Sequence, residues 1–123
     1  MGFESLYERV GGEAAVMAAV DKFYVKVLAD DLTRPFFVGL DMNAQSRKLV
    51  AFMAWAFGGP QEFKGRPLRE SHAKLVERGL EDRHFDAVVT HLDSTLRELG
   101  LEQSIISEVL GLVEATRPHV LGR

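Results

Sequence analysis

Between Glu13 and Ala29 the apolar residues Ala15, Val16, Ala19, Val20, Phe23, Val27 and Leu28 recur at steps of three and four, with no glycine or proline among them. That spacing is one face of a helix. Tyr24 follows Phe23 and has Val20, Val27 and Leu28 as its i−4, i+3 and i+4 neighbours, so its hydroxyl is expected to end up inside. A shorter helix, Glu4 to Val10, precedes it and stops at Gly11-Gly12, a pair that accepts an unusual backbone turn. Asp30, Asp31 and Pro35 close the long helix, and in the compact turn Pro35-Phe36-Phe37 at least one ring must be buried; Phe37 is expected inside. Asp41 or Asn43 can cap a third helix running to about Phe57, whose stripe carries Gln45, Lys48, Leu49, Phe52, Met53 and Ala56.

The stretch from Gly58 to Gly65 reads as a loop, and Pro67 suits the first turn of a short helix that bears His72 and ends at Gly79. Asp82 can cap the next helix, where Phe85, Val88, Val89, Leu92, Leu96 and Leu99 form a long apolar face before Gly100. A last helix, about Glu102 to Leu121, would bury Ile105, Ile106, Val109, Leu110 and Val113. No sustained period-two alternation and no hairpin signal occurs, so the expected fold is all-α.

Composition narrows the chemistry. At 123 residues the chain suits one domain, 1–123, with one substantial core. A charged fraction of 27% with net charge −3 and no block of like charges points to neither a nucleic-acid nor a membrane partner. Without cysteine, thiolate catalysis and thiolate-ligated zinc or iron–sulfur centres are excluded, which leaves histidine as the natural ligand for iron. The amino terminus lacks an apolar core of signal-peptide length and no segment approaches the ~20 apolar residues of a membrane span, so a cytoplasmic location is expected.

His72 is the focus of that chemistry. Leu68, Leu75 and Val76 lie at i−4, i+3 and i+4, so the imidazole should point inward and needs a partner, either a buried hydrogen bond or a metal. A neighbouring helix supplies Phe52, Trp55 and Phe57, flat apolar surface suited to a planar cofactor rather than a bare ion. His84 and His91 lie off the apolar face of their helix and read as surface residues. Arg66 and Arg69 flank the His72 helix and are either solvated or paired with an anionic group.

A helix presenting Tyr24, an aromatic corner with Phe37, a helix presenting Gln45, Lys48 and Leu49, and a short helix presenting His72 follow one another in the order of a globin. The chain resembles the group I truncated haemoglobins, two-over-two helical sandwiches around a haem. The resemblance covers nearly the whole chain, through SLYERVGG, VDKFYVKVL, PFF, FGGPQEFKGRPLRESH, HFDAVVTHL and ELGL, with the glycine pairs Gly11-Gly12 and Gly58-Gly59 at the family's turns. It implies haem b as cofactor, His72 as proximal iron ligand oriented by a backbone acceptor, and Phe37 stacked on the haem. Phe52, Met53, Trp55, Arg69 and Leu75 complete the candidate haem contacts. Tyr24 and Gln45 fall on distal positions that donate to bound dioxygen, whose partial negative charge makes each donor worth about 1–2 kcal/mol.

Three positions depart from the common pattern. Leu49 stands where many members carry a second glutamine, which removes a donor. Lys48 stands where some relatives carry a sixth iron ligand, and either that role or a position on the pocket rim, towards a propionate, is open to it. His119 lies one residue beyond the histidine that some relatives join to a haem vinyl group, with Pro118 at the equivalent place. The implied function is reversible dioxygen binding, with nitric oxide and carbon monoxide as further ligands; the alternative is an enzyme, a nitric oxide dioxygenase served by a reductase.

Overall fold

A computed structural model describes residues 6–56 and 65–123. Among these residues the helices are α1, Leu6–Val10; α2, Gly12–Ala29; α3, Met42–Ala56; α4, Gly65–Glu77; α5, Asp82–Glu98; α6, Gln103–Glu114; and α7, Arg117–Val120, with a 3₁₀ turn at Arg34–Phe37 between α2 and α3. No strand occurs among the described residues. The loop expected from Gly58, and the side chains of Arg66 and Leu68, lie outside them.

Two helix pairs stack on one another. α2 packs on α3, α5 packs on α6, and the pairs meet through α2 on α5 and α3 on α6. Where they cross, Val16, Val20, Phe23, Val27, Phe85, Leu92, Leu96, Ile105, Ile106 and Val109 are buried, as helical spacing of these residues requires. Leu28, on the margin of the α2 stripe, stays 36% exposed.

Local chemistry sets the element ends. Gly11 has φ +114°, and a Cβ there would lie 2.9 Å from the Cβ of Ala15, so only glycine lets α1 turn tightly into α2. Thr33 closes α2 by donating its hydroxyl to the Val27 carbonyl at 2.7 Å. Asp41 rather than Asn43 caps α3: its Oδ1 accepts from the backbone N–H groups of Asn43 at 3.0 Å and Ala44 at 3.3 Å. Pro67 falls in the first turn of α4, and Gly79 follows that helix with φ +101°.

Four sequence expectations are corrected. α5 is capped by Glu81, with His84 completing a capping box in which its Nδ1 accepts from the Glu81 N–H at 3.0 Å. That box turns the His84 ring back onto the helix start and against Phe36, ring centroids 4.8 Å apart, so His84 is 5% exposed rather than a surface residue. His91 is half-buried because α5 crosses the end of α2, where its Nε2 meets Asp30 Oδ2 at 2.7 Å. The expected single terminal helix is two, interrupted at Ala115 and Thr116: Pro118 has no N–H to continue the ladder, and the Thr116 hydroxyl takes the Val113 carbonyl at 2.6 Å.

Candidate functional site

The periodicity that buries α2 delivers Tyr24 to the inner end of the helix, 6% exposed. Its ring meets Phe23 edge-on at 5.3 Å and Phe37 edge-on at 5.7 Å. Burial pushes the phenol above its ordinary range, opposed in part by a hydrogen bond with the Gln45 side chain. A phenol is protonated near neutrality in any case, so the hydroxyl is available as a donor. Gln45 reaches it from the first turn of α3, where its own N–H is tied to the Asp41 carbonyl at 2.9 Å. Tyr24, Gln45 and Phe37 thus form one group built by α2, α3 and the turn between them.

That turn corrects one expectation. Phe36 is the ring that enters the core, 7% exposed, against His84, while Phe37 is only half-buried. In a 3₁₀ turn successive side chains diverge, so one phenylalanine closes the corner and the other remains at the edge of Tyr24.

Along α3, Leu49, Phe52 and Trp55 are half-buried, with Phe52 and Trp55 in contact at 5.7 Å, and Lys48 is exposed. Met53 is 2% exposed and belongs to the core. The contrast with α6 is informative, since Ile105, Ile106, Val109 and Val113 are all covered by protein whereas most apolar side chains of α3 are covered by half. An incompletely covered apolar face beside a buried polar pair has the character of a ligand wall.

On α4, His72 is half-buried, as are Leu75 and Val76 one turn on. The Nδ1 of His72 lies 3.1 Å from Ser71 Oγ. That neighbouring hydroxyl can accept from Nδ1–H, which leaves Nε2 with its lone pair. Arg69, expected near the cofactor, donates to the backbone oxygen of Arg123 at 3.0 Å. α4 packs on α7, and just beyond its end Arg78 donates to the Pro35 carbonyl at 2.9 Å while lying 5.8 Å from the Phe36 ring centroid. Arg78 thereby ties the His72 helix to the turn that carries Phe37.

Ser71 and Arg78 were not foreseen. The hydroxyl beside His72 was visible in the sequence, but nothing in an arginine after a helix announces a partner 43 residues away. The residues fit a haem: an imidazole with its Nδ1 occupied, rings and aliphatic groups half-covered, and a protonated phenol held by an amide. One imidazole supplies one donor, so an iron there must bring most of its ligands with it, as a porphyrin does.

Comparison with known proteins agrees. The family model of the bacterial-like globins matches residues 5–121. The group 1 truncated haemoglobin of a Synechocystis strain is 46% identical over 112 residues, 90% of each chain. The crystal structure of a 2/2 haemoglobin from a Synechococcus species, in the cyanomet state and with covalently attached haem, superposes with a TM-score of 0.92 at 49% identity, covering 98% of this chain and 100% of that one. The truncated haemoglobin of Tetrahymena pyriformis in its Fe(III) form gives a TM-score of 0.87 at 39% identity, covering 98% and 100%.

Proposed function

The chain belongs to the group 1 truncated haemoglobins of the bacterial-like globin family, whose members bind haem and diatomic ligands, and from that premise we propose that it binds dioxygen reversibly on ferrous haem b. The observation that carries this reading is the buried Tyr24 hydroxyl held by Gln45.

When bound, the haem supplies the iron that takes up dioxygen, nitric oxide or carbon monoxide. His72 would hold it through Nε2, and the Ser71 hydroxyl, 3.1 Å from Nδ1, would accept from Nδ1–H and so help to fix the tautomer and ring plane. Phe37, Leu49, Phe52, Trp55 and Leu75 wall the cofactor with the apolar surface the protein leaves half-covered, and Met53 backs that wall from the core. Tyr24 donates its hydroxyl hydrogen towards the ligand site, and Gln45 both orients that hydroxyl and offers its own amide. Leu49 contributes no donor, so discrimination in favour of a polar ligand rests on these two groups. Excluding water from the site strengthens both hydrogen bonds.

The visible spectrum of the purified protein, ferric, ferrous and ferrous with dioxygen, tests the reading directly; a colourless protein that takes up no added haem overturns it. The same donors would serve a nitric oxide dioxygenase. Mixing the oxygenated protein with nitric oxide under continuous electron supply from a reductase separates the two. Repeated nitrate production assigns an enzyme; one turnover that stalls in the ferric state assigns a carrier or sensor.

A further inference from the structure

The helix bearing His72 is backed by one too short to stand alone. α7 has four residues, Arg117–Val120, far below the length at which a helix persists in water, so its position is set by side-chain anchors. Leu121 is buried at 6% exposure, and the Arg117 side chain is 18% exposed. The Arg117 guanidinium lies 4.4 Å from the centroid of the Phe85 ring and is ringed by three carboxylates. Its Nη1 donates to Asp82 Oδ1 at 3.1 Å, Nη2 to Asp86 Oδ1 at 2.6 Å, and Nε to Glu114 Oε2 at 2.8 Å. One planar cation thus joins the first turns of α5 and the end of α6 to α7, a task suited to a fork of fixed donors and not to a point charge.

The connection continues to α4. Arg123 donates from Nη1 and Nη2 to the two oxygens of Asp82, each at 2.8 Å, and its backbone oxygen accepts from Arg69, three residues before His72. Beside it, a Cβ placed on Gly122 would lie 4.0 Å from Val76 Cγ2, so the backbone there runs against the same helix one turn beyond His72. α4 is therefore braced on both sides of His72 by a segment whose own placement depends on the Arg117 fork.

We propose that Arg117 is a positioning residue for the proximal histidine: by fixing α7 and the segment after it against α5 and α6, it sets where α4 presents His72 to the haem iron. This rests on the haem-binding reading above. Loss of the guanidinium removes three anchors at once and leaves Asp82, Asp86 and Glu114 facing one another, with Arg123 still on Asp82, so the brace should relax away from α5.

The test compares the haem-loaded wild type with Arg117→Met, Arg117→Lys and, as a control for loss of an exposed α5 ion pair, Arg97→Met. Three quantities are measured: the iron–histidine stretching frequency of the ferrous protein by resonance Raman, the rate of haem transfer to an apo-myoglobin acceptor, and the melting temperature. Arg117→Met should shift the frequency and speed haem loss by about threefold to tenfold, as disturbing groups that orient a metal ligand does. Arg117→Lys, which keeps charge but not the fork, should fall between Met and wild type, and Arg97→Met should match wild type. If Arg117→Met does not fold, the Arg117→Lys and Asp86→Asn proteins carry the comparison with the same expected direction. A lower melting temperature with an unchanged frequency and unchanged haem loss would make Arg117 a structural brace only and overturn the proposal. Absence of haem uptake by the wild type, or an unaltered iron–histidine band in His72→Ala, would instead overturn the parent reading and this one with it.

Discussion

Tyr24 combines two properties that the distal role proposed for it requires. It is buried at 6% exposure, which raises the phenol's pKa and shields its hydroxyl from water, and it is hydrogen-bonded with Gln45, which holds it in place. Tyr24→Phe removes the hydroxyl and little volume, so dioxygen release measured by stopped flow should accelerate about tenfold or more, ~1.4 kcal/mol per decade, with carbon monoxide release changed much less. Gln45→Leu should act in the same direction. Equal off-rates in wild type and both variants would remove the distal role assigned to the pair. Lys48 poses a different question, because its side chain is exposed in the first half of α3, the helix whose half-covered face is assigned to the haem. A lysine ligates iron only as the neutral amine, so coordination by an inward-folded Lys48 should make the ferric protein progressively low-spin as pH rises, and Lys48→Ala should abolish that transition. Superimposable ferric spectra of the two proteins across the range would leave Lys48 on the rim.

At the scale of elements, the junctions decide how the helices meet. Gly11 occupies a left-handed conformation against Ala15, so Gly11→Ala combines backbone strain with a 2.9 Å contact and should lower stability by about 1–2 kcal/mol. Urea midpoints followed by circular dichroism measure this; an unchanged midpoint would mean that α1 can detach without consequence for the rest. The opposite end of the chain shows how much a single residue can redirect an element. Pro118 divides the last apolar run, and the two pieces then take separate roles, α6 in the core and α7 behind α4. Periodicity carried across that break because Val120 and Leu121 continue the apolar spacing in sequence while lying at the end of another helix and just beyond it in space.

For the molecule as a whole, acid stability follows from its carboxylates. Hydrogen bonds from Arg123 and then Arg117 hold Asp82 below the ordinary carboxylate range, a hydrogen bond from Arg117 does the same for Glu114, and the Leu32 N–H followed by His91 does so for Asp30. A group whose folded pKa is depressed contributes stability that is present above its unfolded value, about 4, and is lost as pH falls through the folded value. Stability should therefore hold from neutral pH to about 5 and decline below about 4. Asp82→Asn should lower the neutral plateau and flatten the acid limb. A urea midpoint profile for Asp82→Asn parallel to wild type at every pH would assign the acid response to other groups. Asp82 and Glu114 lie at exposed positions, so added salt should shrink the difference between the two proteins.

The sequence by itself determined what repeats locally. Runs of apolar residues at helical spacing set α2, α3, α5 and α6, glycines and acidic caps set their ends, and the order of Tyr24, Phe37, Gln45 and His72 along those elements gave the globin resemblance that the comparisons bear out. Those features depend on the chain within a few residues of each position. Tertiary structure decided whatever depends on which surfaces meet. It chose Phe36 over Phe37 for the core, buried His84 and half-buried His91, turned Arg69 to Arg123 and Arg78 to Pro35, and gathered Asp82, Asp86 and Glu114 around Arg117. Each is a long-range pairing or a choice between adjacent side chains. A polar residue at a helix margin carries the same local signal whether it faces water or another helix, and only packing supplies the partner that separates the two.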